Sequence, residues 1–368
     1  MKSHIKRNFI VLLFLLLVCI LIGCSKADTS TNEESSNSQE DSNEDPEEVF
    51  EIEVGNWAPS THHFTYNVFE PWKEFVEEKT EGRVKVNLYH GAALGAATSV
   101  YQDVSGGLYD FGIVVAAYFY DTAFFPYTIG QLPFAFSDVE TAAKILEKFG
   151  EKYANDKLTD VVIAGTGSSD PYDLFSTTPV RTASDLKNLK MRISGKVEQT
   201  FVENLGGVPV SLALGETYEG LQRNTINTSF YTPIGAVGLK LFEPAPYITK
   251  VGALAAPAVT IMNPDFFESL PEDLQTLFVE ELNPKFIELL VGTYTTELEE
   301  SYKILEEELK GRGEIINLPE KELETIRKAG KGAWDDWIED ANEKGYPGEE
   351  MVDFYFKLLE EEGFPTPF

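Results

Sequence analysis

The sequence predicts an α/β protein of two domains, and three observations carry that reading. A chain of 368 residues is longer than one typical domain, and 43 % hydrophobic with 25 % charged residues is an ordinary globular composition. Segments that alternate apolar and polar residues, as half-buried strands do, are interleaved with segments of helical period. Towards the C-terminus an apolar helical pattern runs for roughly forty residues, long enough to cross two small domains.

The N-terminus is not part of that pattern. Lys2, Lys6 and Arg7 precede an apolar run from Phe9 to Ile22, which is too short for a comfortable membrane span and fits the core of a signal peptide over residues 1–23. The run ends Leu21-Ile22-Gly23-Cys24, similar to the bacterial lipobox, whose Cys receives diacylglycerol and becomes the first mature residue. A plain membrane anchor, or a signal cut elsewhere, are the other readings. Acyl chains at ~0.8 kcal/mol per buried CH₂ make such anchoring stable. Residues 25–48 hold nine acids, one Lys and no large apolar side chain, so 24–48 reads as an acidic disordered tether.

From residue 49 the elements follow in order. Phe50 to Trp57 alternates as a strand; Val68, Trp72, Phe75 and Val76 recur at helical spacing up to Thr80-Glu81-Gly82; Val84, Val86 and Leu88 alternate again. The opening is therefore β-α-β. Ser137 to Glu140 has the form of a capping box, ahead of a helix with Ala142, Ile145, Leu146 and Phe149 on one face. Val161 to Gly165 and Leu189 to Ile193 read as short buried strands, and Gly252 to Met262 as a central one. After Pro271 the long helical pattern passes through Leu289, Leu290, Tyr294, Leu298 and Leu305, with a kink expected at Pro284.

Composition narrows the function classes. A net charge of −31 and a pI near 4.4 exclude nucleic acid as the partner and give no attraction to anionic headgroups. The only cysteines, Cys19 and Cys24, leave the folded part without a disulfide framework or thiolate metal site, and four histidines are too few for a histidine-rich one. Neither a Gly-x-Ser-x-Gly elbow nor a His-Glu-x-x-His motif is present, so no enzyme class is marked and no cofactor is expected.

A set of short motifs, weak singly and strong in this order, covers residues 50–345. They are Thr80-Glu81-Gly82-Arg83-Val84, Leu88-Tyr89-His90-Gly91-Ala92-Ala93-Leu94-Gly95, Gly107-Leu108-Tyr109-Asp110, Gln131-Leu132-Pro133-Phe134, Leu189-Lys190-Met191-Arg192, Gly206-Gly207-Val208-Pro209-Val210 and Glu216-Thr217-Tyr218-Glu219-Gly220-Leu221-Gln222. In these the chain resembles the substrate-binding proteins of tripartite ATP-independent periplasmic (TRAP) transporters, of the C4-dicarboxylate-binding-protein-like lipoprotein kind. The resemblance implies a two-domain periplasmic-binding-protein-like fold, hinged about a cleft, with the long C-terminal helix crossing both domains. Residues 49–169 with 256–300 are expected to form domain I, and 170–255 with 301–368 domain II. The implied function is an extracytoplasmic receptor that captures a small organic acid and passes it to the small and large TRAP membrane subunits, as a monomer held to the outer face of the cell membrane through acylated, palmitate-bearing Cys24. A binding lipoprotein of another importer or of a sensor system is the alternative.

Arg192 is the leading site residue. Along Lys190-Met191-Arg192-Ile193 it points opposite to its neighbours, and Ser194-Gly195 and a helical stretch from Val197 to Leu205 follow. That places it at the carboxyl end of a strand beside a helix N-terminus, where open α/β sheets bind ligands and where an anion is favoured. Its planar fork matches a carboxylate in a way Lys does not. Read from the residues alone it is equally a salt-bridge Arg; the resemblance makes it the carboxylate clamp. Where many members carry a second ligand Arg this chain has Tyr172, and where they often have a polar stretch it has Phe230-Tyr231, which points to a less polar pocket and one strongly held carboxylate; Tyr172 and Phe230 are otherwise core aromatics. His62 and His63 either contact ligand or cap the next helix. Glu216 is either a capping acid or a contact. The belt Tyr118, Phe119, Tyr120, Phe124, Phe125 and Tyr127 is expected to be mostly core, with one ring stacking on ligand.

Overall fold

The structure is a computed structural model and describes residues 48–368. The signal segment, Cys24 and all of the acidic tether but Glu48 lie outside the described residues.

The chain starts with β1 (Phe50–Gly55), a π turn over Phe64–Phe69 that runs into α1 (Glu70–Lys79), and β2 (Val84–Tyr89). The apolar stripe of α1 closes on the sheet through Trp72, which is fully buried, stacks on Phe111 at 4.6 Å and donates to the Leu282 carbonyl at 2.8 Å. Next come β3 (Phe111–Val115), α2 (Val139–Tyr153), β4 (Val162–Ser168) and β5 (Asp173–Ser176). The capping box expected from Ser137 is displaced by one residue. Asp138, in extended conformation, is the N-cap and accepts from the Thr141 N–H at 2.9 Å, since its carboxylate is the better acceptor for an orphan helix donor.

Then follow β6 (Lys190–Ile193), α3 (Lys196–Asn204), β7 (Val208–Ser211), β8 (Thr228–Tyr231), β9 (Tyr247–Lys250) and β10 (Pro257–Met262). The strand expected over 252–262 is thus confined to its second half. The helical pattern after Pro271 is segmented: an α segment over Glu272–Leu277, a π turn over Phe278–Leu282, α4 (Asn283–Thr296), a break at Glu297, and α5 (Leu298–Glu308). Pro284 follows directly on the π turn within one unbroken helical run, and that wider turn absorbs the register change expected as a kink. The chain ends with β11 (Glu314–Asn317), α6 (Glu320–Glu343) and α7 (Gly348–Glu361).

The strands form two sheets, β2-β1-β3-β10-β4 and β11-β9-β5-β8-β6-β7. In the first, β1 pairs parallel with β2 and β3, and β10 runs antiparallel between β3 and β4. In the second, β6 pairs parallel with β7 and β8. Each sheet with its helices is one lobe. The chain crosses between them at residues 169–172, at 251–256 and at the break after α4. The first two crossings run antiparallel and bond to each other: Ser169 N–H to Ala256 carbonyl at 3.1 Å, Tyr172 N–H to Leu254 carbonyl at 2.6 Å, and Ala253 N–H to Tyr172 carbonyl at 3.1 Å. Helix α4 lies on the first sheet, while α5 reaches the second lobe, where Tyr302 donates to Asp173 at 2.5 Å. Helix α7, which the sequence placed with the second domain, lies against α2 of the first lobe; Tyr355 donates to the Ala135 carbonyl at 2.7 Å.

Candidate binding site in the interlobe cleft

The carboxyl ends of β1, β3, β6 and β8 converge on the cleft, and the side chains just beyond them line one cavity between the lobes. Strand alternation decides which residues reach it. Arg192 stands opposite Ser229 in the parallel β6–β8 pair, so it shares a face with Ser229 and Tyr231. Phe230 is turned to the other face, where it stacks on Phe201 of α3 at 5.7 Å. The structure therefore separates the two adjacent aromatics: Tyr231 lines the cavity and Phe230 is core.

Arg192 is 3 % exposed. Its Nε donates to the Leu212 carbonyl at 3.2 Å and its Nη2 to the Tyr118 hydroxyl, across the cleft, at 3.3 Å. Burial works against the charge, but Tyr118 and the nearby Glu198 carboxyl outweigh it and hold the guanidinium protonated. Glu198 is itself buried in the first turn of α3; its Oε2 accepts from the Ser194 N–H, and its Oε1 has no partner. Burial raises its carboxyl above the usual range, opposed by Arg192 and the Ser194 N–H.

His62 lines the cavity, whereas His63 does not. The His62 Nδ1 accepts from the Phe64 N–H at 3.2 Å, which fixes the proton on Nε2, 3.4 Å from the Tyr231 hydroxyl across the cleft. Burial pushes its imidazole down to about 4, so it is neutral near pH 7. His63 stacks on His62 at 4.1 Å and bonds the Tyr294 hydroxyl at 2.8 Å, behind the wall. Tyr172, on the first hinge crossing, lines the cavity 5.7 Å from the Tyr231 ring. Burial raises the phenols of Tyr172, Tyr231 and Tyr294 well above 10 and keeps them uncharged. Glu216 lies on the surface, where its carboxylate accepts from the Ala213 N–H at 3.1 Å; it is a local cap, away from the cavity.

The sequence reading missed Trp57, Gln131, Ser168, Ser194 and Tyr294, which also line the cavity. Trp57 and Phe64 meet edge to face at 5.5 Å as an aromatic wall, and the Gln131 amide donates to the Ser194 hydroxyl across the cleft at 3.2 Å. Of the aromatic belt, Tyr118 reaches the cavity while Phe119, Phe124, Phe125 and Tyr127 are core. The result is one buried cation facing neutral aromatic and hydroxyl groups, suited to binding a carboxylate with an uncharged remainder.

Residues 55–340 match the family described as bacterial extracellular solute-binding protein, family 7. A solute-binding protein of Sulfitobacter sp. (strain NAS-14.1) is 27 % identical over 226 residues, 60 % of this chain and 67 % of that relative. Across three curated relatives the chain spans 48 to 67 % of their length. Among solved structures, a TRAP periplasmic solute-binding protein from Desulfovibrio salexigens superposes with a TM-score of 0.73 at 25 % identity, over 85 % of this chain and 97 % of that one; it is an open complex with the C-terminus of a symmetry mate in its ligand-binding site. A TRAP periplasmic solute-binding protein from Bordetella bronchiseptica, with bound (R)- and (S)-mandelate, superposes with a TM-score of 0.76 at 24 % identity, over 85 % of this chain and 99 % of that one.

Proposed function

This chain belongs to family 7 of the bacterial extracellular solute-binding proteins, the solute receptors of TRAP transporters, and from that premise we propose that it captures one small organic monocarboxylate between its lobes and delivers it to the membrane subunits of a TRAP-type secondary transporter. The observation that supports this ligand class is the charge pattern of the cavity: Arg192 is the cation at its wall, while His62, Tyr172, Tyr231 and Tyr294 are held neutral. One carboxylate pairs with the guanidinium; a second, buried against neutral phenols, costs several kcal/mol. The remainder of the ligand meets hydroxyls and aromatic rings, which suits hydroxy, keto or aromatic substituents. Capture is binding and closure about the two hinge crossings, with no bond made or broken.

A thermal-shift panel tests the assignment. Mandelate, benzoate, 3-hydroxybenzoate and pyroglutamate are expected to raise the melting temperature more than succinate, malate or fumarate do. The largest shifts from the C4-dicarboxylates would overturn it.

The same reading places the protein, as a monomer, outside the cytoplasm on a lipid anchor at Cys24, supported by the sequence Leu21-Ile22-Gly23-Cys24 after an apolar run. Cys24→Ser should release the protein from membranes on fractionation; full retention would sink the anchor.

A further inference from the structure

Glu198 caps the start of α3 by reaching back to the Ser194 N–H, a job a solvent-facing carboxylate does equally well, so the cap does not explain its burial. It is 1 % exposed, it accepts one backbone hydrogen bond from Ser194, and its second oxygen has no partner. The group facing it is the Gln131 side chain, a cavity-lining amide whose own Oε1 is also buried without a partner. Its charged neighbour is Arg192, the guanidinium on which the ligand reading rests. We infer that Glu198 is a second carboxylate buried behind the cavity wall formed by Gln131, Arg192 and Ser194, which shares the field of Arg192 with the ligand and takes up one proton from solvent when an organic anion is captured.

The charge count forces the step. With Glu198 ionised, the Arg192–Glu198 pair is neutral, and an arriving carboxylate leaves one uncompensated negative charge in a water-poor cavity. Two anions then compete for one cation, and the one that can be neutralised in place takes a proton. The proton comes from water or buffer and goes to Oε1, because Oε2 is spent on the Ser194 N–H. Net charge in the cavity returns to zero, with Arg192 paired to the ligand.

Other groups do not supply this proton in the same way. From the hinge, Tyr172 faces the pair as an uncharged phenol, and His62 is already neutral near pH 7. Strand β7 carries no titratable side chain, and in α6, packed along α3, Asp340 accepts from Tyr120 with Asp336 beside it. Lys190 and Lys196, flanking Arg192 on the same segment, are exposed. The competing site is the buried hinge acid Asp170, whose Oδ1 accepts from Thr232 and whose carboxyl burial pushes up to about 8.

This inference rests on the monocarboxylate reading, and one experiment separates their failures. Each panel acid that shifts the melting temperature is titrated by calorimetry in phosphate and in Tris at matched pH, between about pH 5 and 9; the difference in heat reports protons taken up per ligand bound. Wild type is expected to take up a proton in the window above the carboxyl's free-protein pKa and below its pKa in the complex, with Kd rising up to about tenfold per pH unit there. Glu198→Gln, which keeps the shape and one acceptor, should show neither uptake nor slope. Binding without uptake at any pH overturns the inference alone. Uptake that survives in Glu198→Gln and disappears in Asp170→Asn moves the proton to the hinge and also overturns it. If no acid of the panel binds, the monocarboxylate reading falls and this inference falls with it.

Discussion

A buried guanidinium works as a clamp only if its direction is set before the ligand arrives. Arg192 meets that condition within its own lobe because the Leu212 carbonyl holds Nε, and the Tyr118 hydroxyl completes the hold on Nη2 from across the closed cleft, so little side-chain entropy remains to be lost on binding. Its side of the strand was legible, since alternation along Lys190-Met191-Arg192-Ile193 places it opposite two core side chains. The same rule also divides Phe230 from Tyr231: two adjacent strand residues cannot face one cavity, and only the packing of Phe201 reveals which one turns away. His62 and His63 are likewise split, one to the cavity and one to Tyr294, by the tight turn that carries them. Tyr118, Gln131 and Ser168 face Arg192's cavity from three separate segments. No period or spacing connects such residues, so their convergence was invisible in the sequence.

At the level of elements, the strands and the amphipathic helices were legible because their burial follows a period of two or of 3.6. What the sequence hid were the places where the chain changes lobe. Residues 251–256 are as apolar as a strand, but their partner is the other crossing, so they act as a hinge. The π turn before Pro284 and the break at Glu297 divide the long helix, letting α4 belong to one lobe while α5 reaches the other. One close approach across the cleft is at Gly195, where an added Cβ would stand 2.6 Å from the Ala117 carbonyl oxygen. That oxygen is backbone and cannot rotate away. Gly195 itself is extended, with φ −173°, so a side chain costs it no local strain. Gly195→Ala is therefore expected to stop the lobes short of closure, weakening acid binding about tenfold or more while leaving the melting temperature of the free protein near wild type. Calorimetry and a thermal melt check both halves; wild-type affinity would show that closure at this point is not needed.

Over the whole molecule the two lobes differ little in kind but contribute different groups to the cavity. The first supplies the neutral wall of Trp57, His62 and Phe64; the second supplies the charge at Arg192; the hinge supplies Tyr172. A net charge of −31 makes the surrounding field unfavourable for an anion, so affinity has to come from the short-range pair inside the cavity rather than from long-range steering. Family membership was legible from motif order across most of the chain, because those motifs sit at turns and strand ends that every lobe of this design needs. The ligand class was legible only through one residue type at one position. The most direct test is accordingly a calorimetric titration of wild type and Arg192→Ala with the panel acid that gives the largest thermal shift. The account predicts a loss of about 2–5 kcal/mol in binding free energy, because the carboxylate is left buried and unpaired, with the free protein still folded. Near-native affinity in Arg192→Ala would contradict it.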